Sequence, residues 1–386
     1  MNFEQRYTYN YPCPIRFGPG VIDEVGPHLI EQGLKRALIV TDPGFIKLPL
    51  YEKIISELSK SGLTCLSFSG IDKNPVKKNV LSGVASYHDQ KADCIVGLGG
   101  GASMDVARAI ALKAYHDRDL FDFDDALGGD KYVTNEVPYF ITIPTTSGTG
   151  SEVGRSTVIS EDESHQKRVL FSPRLMAKIV FADPLLTMEL PRSVTAATGM
   201  DALTHNIEAY LSKGFSPLCD GVAIEGIKLI HESLIKAATT PCLESRSKMQ
   251  MAALMGATSF QKGLGVVHST AHPLSTVFDT HHGLANAVML PYGVKFNEDV
   301  SKERIEFLCR VLDLGEVSTK SFIDWIINLN KSLGLPLNLT ELGVDSSKMD
   351  SLCDLALRDV CHLCNPKEVS LGDFRNIYTN AFEGTL

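Results

Sequence analysis

The chain has 386 residues and a net charge of -9, so it lacks the basic footprint that nucleic acid or an anionic membrane would need. Its 44% hydrophobic and 22% charged content is that of an ordinary globular protein, long enough for two domains of about 100 to 200 residues each. No stretch approaches the roughly 20 apolar residues of a membrane span. The opening MNFEQRYTYNYPCPIRFGPG has no basic region followed by an apolar run, so a cytoplasmic location is expected. Nine scattered cysteines, an odd number, fit a reducing compartment better than a disulfide framework. The partner expected is a small molecule.

From about residue 13 to 185, short β-branched runs alternate with amphipathic segments, the rhythm of strands joined by crossover helices. Strands are expected at 36–42, 63–69, 92–100, 139–146 and 178–183, with helices at 48–62, 74–90 and 102–116. This predicts a doubly wound, mostly parallel α/β domain over residues 1–190. After Pro191, helical periodicity takes over, in segments such as 193–212, 220–238, 245–260, 301–312 and 319–333, so residues 191–386 are expected to form an all-α domain.

Within the first domain, GLGGGASMD (97–105) follows an apolar strand and opens a helix, where backbone donors suit a pyrophosphate. Gly99, Gly100 and Gly101 let the backbone approach phosphates that any Cβ would obstruct. The run departs from G-x-G-x-x-G, and a tight turn without a ligand would read the same way. Asp42 ends the first long strand, where a carboxylate can accept from ribose hydroxyls and repel a 2′-phosphate, favouring NAD over NADP. A turn aspartate in TDPG is the equal alternative. PTTSGTGSE (144–152) closes another strand with Thr145, Thr146 and Thr149 as cofactor contacts.

The second domain carries metal-type ligands. Asp201 and His205 are four apart in TGMDALTHNIEAY, so they share one helix face. His268 and His272 repeat that spacing in VHSTAHP, and His281 and His282 follow in a THHG turn. An aspartate with histidines and no thiolate suits Fe(II), Zn(II), Co(II) or Ni(II). Cys361 and Cys364 form CHLC, but no second pair completes a structural zinc site, and two cysteines on a C-terminal helix are expected instead. Arg155, in EVGRSTVI, and Lys262, in FQKGLGVVHS, are the cationic candidates for a substrate carboxylate; structural ion pairs are the alternative.

GGGASMD, PTTSGTGSEVG, ATGMDALTHNIEAY, GLGVVHSTAHPLS and HHGLANAVMLP, in this order, resemble the signatures of the iron-containing (group III) alcohol dehydrogenase family over nearly the whole chain. The resemblance implies a dehydroquinate synthase-like dinucleotide domain, a helical metal domain, and an active site in the cleft between them. It implies Asp201, His205, His268 and His282 as metal ligands, His272 as a non-ligand beside the metal able to relay a proton, and His282 rather than His281 as the fourth ligand. It adds Asn74, Ser103 and Lys167 to Asp42, Gly99, Gly100, Gly101, Thr145, Thr146 and Thr149 as dinucleotide contacts. Ala102 stands where the family usually has serine.

The implied cofactors are NAD and Fe(II), with Zn(II) in some members, and a homodimer or larger homo-oligomer is expected. The implied reaction is hydride transfer between nicotinamide and a small primary alcohol or aldehyde. Around Arg155 and Lys262 the chain looks most like the 4-hydroxybutyrate dehydrogenase branch, which interconverts 4-hydroxybutyrate and succinic semialdehyde. A simple alcohol, a lactaldehyde-type 1,2-diol, a dehydroquinate synthase-like lyase reaction and a non-catalytic nucleotide-binding role are the competing readings.

Overall fold

The computed structural model describes residues 12–164 and 166–386. Its contacts divide these into an α/β unit, residues 12–146 and 150–189, and a helical unit, residues 147–149 and 190–386. No helix among the described residues is long and apolar enough to cross a membrane.

In the α/β unit the strands are β1 (Ile15–Phe17), β2 (Arg36–Val40), β3 (Thr64–Phe68), β4 (Cys94–Gly99), β5 (Tyr139–Pro144), β6 (Ser156–Ser160), β7 (Lys167–Phe171) and β8 (Ile179–Ala182). Six of them form a wholly parallel sheet in the order β1-β8-β5-β4-β2-β3. Side chains alternate faces along a strand. Ala37 and Ile39 of β2 therefore pack with Val25 and Leu29 of α1 (Val25–Glu31) and Ile54 and Leu58 of α2 (Pro49–Ser59). Leu38 and Val40 point the other way, toward Val80 of α3 (Lys77–Asp89) and Val106 and Ile110 of α4 (Gly101–Lys113). Burial on both faces explains why these strands read as continuous apolar runs.

The winding reverses between β2 and β4, because β3 lies outside β2 whereas β4 returns on its inner side. Open α/β sheets bind ligands at the carboxyl ends of strands that flank such a reversal. Two features lie outside the expected strands: the three-residue edge strand β1, and the antiparallel β6–β7 hairpin, which pairs Ser156 with Phe171. The buried Arg108 of α4 reaches the loop before β6, donating to Ser151 Oγ (3.0 Å) and the Ser156 carbonyl (2.7 Å).

The helical unit contains α5 (Arg192–Leu211), α6 (Pro217–Thr239), α7 (Leu243–Ser259), α8 (Val266–Phe278), α9 (His282–Phe296), α10 (Glu298–Val311), α11 (Thr319–Leu333), α12 (Met349–Arg358) and α13 (Leu371–Glu383). From Thr195 to Leu211, α5 is buried on every side, the pattern of a helix enclosed by others. It packs on α6, α7 and α9.

Glycine permits the closest of these approaches. A Cβ on Gly283, in the first turn of α9, would stand 2.2 Å from the Ala197 carbonyl oxygen of α5. Backbone cannot yield as a side-chain tip can, so Gly283→Ala is expected to push α9 off α5 and cost about 1–3 kcal/mol. A thermal melt checks this, and an unchanged midpoint would contradict it.

Candidate functional site

Asp201 and His205 lie one helical turn apart on α5, His268 is in the first turn of α8, and His282 is the first residue of α9. His282 was expected in a turn. The structure corrects this: the turn ends at His281, the cap of α9. One donor atom from each of Asp201, His205, His268 and His282 lies within 4.8 Å of the others. Asp201 Oδ1 is 3.4 Å from His282 Nε2 and 3.9 Å from His205 Nε2. Ligand atoms about 2.1 Å from one ion, tetrahedrally placed, stand roughly 3.4 Å apart, so this donor set fits a divalent cation.

The protonation states fit as well. Burial pushes the His205 imidazole down to about 4, which leaves it neutral with a lone pair available at ordinary pH. Its ring stacks on His268, with centroids 4.8 Å apart. His268 Nδ1 lies 2.5 Å from Glu208 Oε2, a contact that places the proton on Nδ1 and leaves Nε2 as the acceptor. The amide nitrogen of Asn286 is where the acceptors converge, 2.7 Å from Asp201 Oδ1, 3.1 Å from His282 Nε2 and 3.4 Å from His268 Nε2.

Glu208 and Asn286 were absent from the sequence expectations. Glu208 follows His205 by three positions and so shares its helix face, a spacing that could have identified it. It also closes the open end of α8, accepting from the N–H groups of Val267 (2.7 Å) and His268 (3.3 Å). Asn286 repeats the four-residue spacing from His282 on α9.

His272 stands outside the quartet. Its ring stacks on His282 with centroids 5.3 Å apart, and its Nδ1 lies 2.7 Å from Asp359 Oδ2. Burial alone would raise the Asp359 carboxyl, but the His272 and Ser269 contacts hold it well below the usual carboxylate range. Cys361 joins His272 and Asp359 in a second close group, yet burial pushes its thiol well above the ordinary value. Such a thiol is a poor metal ligand. Cys361 and Cys364 occupy a single 3₁₀ turn, Val360–Cys364, in place of the expected C-terminal α-helix.

In the α/β unit, Asp42, Ser103 and the Gly99–Gly101 turn lie together at the β2–β4 reversal, with Thr146 next to Gly100. Gly99 has φ +141°, and a Cβ there would meet Ser103 Oγ at 2.7 Å. Gly100 caps α4 and Gly101 begins it, with no side-chain hydrogen bond capping the helix end. Ser103 Oγ and Thr41 Oγ1 are buried with no hydrogen-bond partner among the described residues, as hydroxyls awaiting a polar ligand would be. Asp42 carries part of the turn alternative: its Oδ1 accepts from Gly44 N–H (2.9 Å) and Phe45 N–H (2.8 Å), while Oδ2 faces Gly99. Thr145 and Thr146 follow β5, Asn74 lies between β3 and α3, and Lys167 opens β7. Thr149 falls in the short stretch that clusters with the helical unit.

The two substrate candidates part company. Lys262 forms the structural ion pair, with Nζ 2.6 Å from Asp220 Oδ1 and 2.9 Å from the Tyr210 carbonyl and its side chain 1% exposed. Asp220 also pairs with Arg304 at 2.9 Å, so Lys262 sits in a cluster of two cations and one carboxylate, the structural ion pairing that was the alternative for it. The half-buried Arg155 guanidinium lies 5.4 Å from the Phe171 ring and has no carboxylate partner among the described residues.

The description "iron-containing alcohol dehydrogenase" matches residues 12–184, and the C-terminal region of the Fe-containing alcohol dehydrogenase family matches residues 195–382. The chain is 36% identical to the 4-hydroxybutyrate dehydrogenase of Cupriavidus necator, over 89% of this chain and 92% of that one. It is 34% identical to the NAD-dependent methanol dehydrogenase of Bacillus methanolicus, over 94% of this chain and 97% of that one. A solved structure of 1,3-propanediol oxidoreductase matches with a TM-score of 0.93 at 34% identity, over 98% of this chain and all of that one. With both of its units matched by the same family, this chain belongs to the iron-containing alcohol dehydrogenases.

Proposed function

We propose that this alcohol dehydrogenase is NAD-linked and metal-dependent, and that it interconverts a short ω-hydroxy acid and its semialdehyde, with 4-hydroxybutyrate and succinic semialdehyde as the leading pair. The convergence of Asp201, His205, His268 and His282 on one point carries the metal dependence. A bound divalent cation supplies Lewis acidity to a carbonyl oxygen, and a bound nicotinamide supplies the hydride. Fe(II) is the leading cation, with Zn(II) compatible with the same donors.

The chain's own residues then have separate tasks. Glu208 holds the His268 ring in one tautomer and one orientation. His272 gives a proton to the nascent alcohol oxygen during reduction and takes it back during oxidation. Gly99, Gly100 and Gly101 admit the pyrophosphate to the start of α4, and Ser103, Thr41, Thr145 and Thr146 offer hydroxyls nearby. The remaining oxygen of Asp42 accepts from the adenosine ribose, which disfavours a 2′-phosphate there. Asn74, Thr149 and Lys167 are proposed as further dinucleotide contacts.

The substrate class rests on Arg155, a half-buried guanidinium whose charge no described carboxylate matches. Such a group binds a carboxylate in bidentate fashion. The 4-hydroxybutyrate dehydrogenase among the relatives supports this choice. The relatives named for methanol and 1,3-propanediol support a second reading, an uncharged short alcohol.

Two measurements test these assignments. Removing metal with a chelator is expected to abolish turnover while NADH still binds, as read by its fluorescence; full activity in metal-free enzyme would refute the metal role. Arg155→Ala is expected to lower kcat/KM for succinic semialdehyde at least tenfold relative to butanal, about 1.4 kcal/mol of lost discrimination. An unchanged ratio would favour the uncharged alcohol.

A further inference from the structure

Asp359 reaches His272 from 87 positions further along the chain, and both of its oxygens are engaged. Oδ1 accepts from Ser269 Oγ at 2.7 Å and from the Cys361 N–H at 2.9 Å. Ser269 adjoins His268 on α8 and itself accepts the His362 N–H at 2.8 Å, so the clamp on Oδ1 is tied to backbone at two places. Only Oδ2 is left to meet His272 Nδ1. A carboxylate oxygen only accepts, so this contact keeps a proton on Nδ1 and makes Nε2 the basic nitrogen.

We propose that Asp359 is a positioning residue for this dehydrogenase, holding His272 in the Nδ1–H tautomer so that Nε2 exchanges the substrate proton. The proposal rests on the proton-transfer role given to His272 above. In alcohol oxidation the carbinol C–H pair leaves as hydride to NAD, the O–H proton moves to His272 Nε2, and the aldehyde remains. The proton then passes to solvent. Reduction runs the same transfers backward, with NADH as the hydride source and the proton leaving Nε2 for the oxygen. Asp359 keeps its charge throughout and acts through His272.

Asp359→Asn discriminates this role from simple packing. The two donors at Oδ1 keep the amide oxygen at that end, so the amide NH₂ faces His272 Nδ1. That arrangement protonates Nε2 in the neutral ring and removes the base. The expected result is a kcat for alcohol oxidation lowered ~10- to 100-fold, with bound metal, KM for NAD and melting temperature unchanged.

In a His272→Ala background, the expected further effect of Asp359→Asn is nil, because both substitutions remove the same step. Parental kcat in Asp359→Asn alongside a slow His272→Ala would overturn the positioning role alone. Multiplying effects in the double variant would do the same. Full activity in His272→Ala would instead overturn the underlying reading of His272. If Asp359→Asn does not fold, the ring ¹⁵N shifts of His272 in zinc-loaded parent enzyme decide the point: Nδ1–H is expected, and Nε2–H overturns the proposal.

Discussion

The helical unit is organised around a buried carboxylate. Glu208 is buried inside the unit, and burying an ion without compensation costs several kcal/mol. Its compensation comes from α8, whose first N–H groups point at it and whose positive end favours a negative charge. The same contact sets the register of α8 against α5 and, through His268 Nδ1, decides which nitrogen of that ring faces the other donors. Helix capping and the orientation of the His268 ring are here a single interaction. The removal of Glu208 would leave both the α8 amides and His268 without their acceptor.

Around that contact, close packing does the rest. Because α5 is enclosed on all sides, Asp201 and His205 are buried among their neighbours rather than solvated. Gly283 brings α9 close enough for His282 to join them, and Asn286 one turn later donates to Asp201. Glycine at 283 thus has a steric cause. In the α/β unit the constraint differs in kind: the reversal of winding between β2 and β4 leaves Asp42 and the glycine turn side by side, and the positive φ of Gly99 excludes a side chain from the place where a phosphate would come.

Much of this was legible in the sequence because local periodicity carries it. The strands β2, β4, β5 and β8 were visible as apolar runs, since helices cover both faces, and α5 showed Asp201 and His205 at helical spacing. β1 was too short to show a period, and the β6–β7 hairpin is only partly covered, so its apolar signal is weak. His282 read as part of a turn because it is the first residue of α9, where periodicity gives little guide to the boundary. Glu208 and Asn286 were readable in principle from three- and four-residue spacings. Asp359 was not: its partner is 87 positions away, and no local pattern announces such a pair. The Lys262 contact was hidden in the same way, because its counter-ion Asp220 lies 42 positions away.

Four side chains from three helices are proposed to hold one divalent cation. Anomalous diffraction from crystals of anaerobically Fe(II)-loaded enzyme, collected on both sides of the iron absorption edge, tests this most directly. A single strong peak bounded by Asp201, His205, His268 and His282 is expected. An active, iron-loaded enzyme with no peak there, or with its peak beside His272, Asp359 and Cys361, would contradict the account.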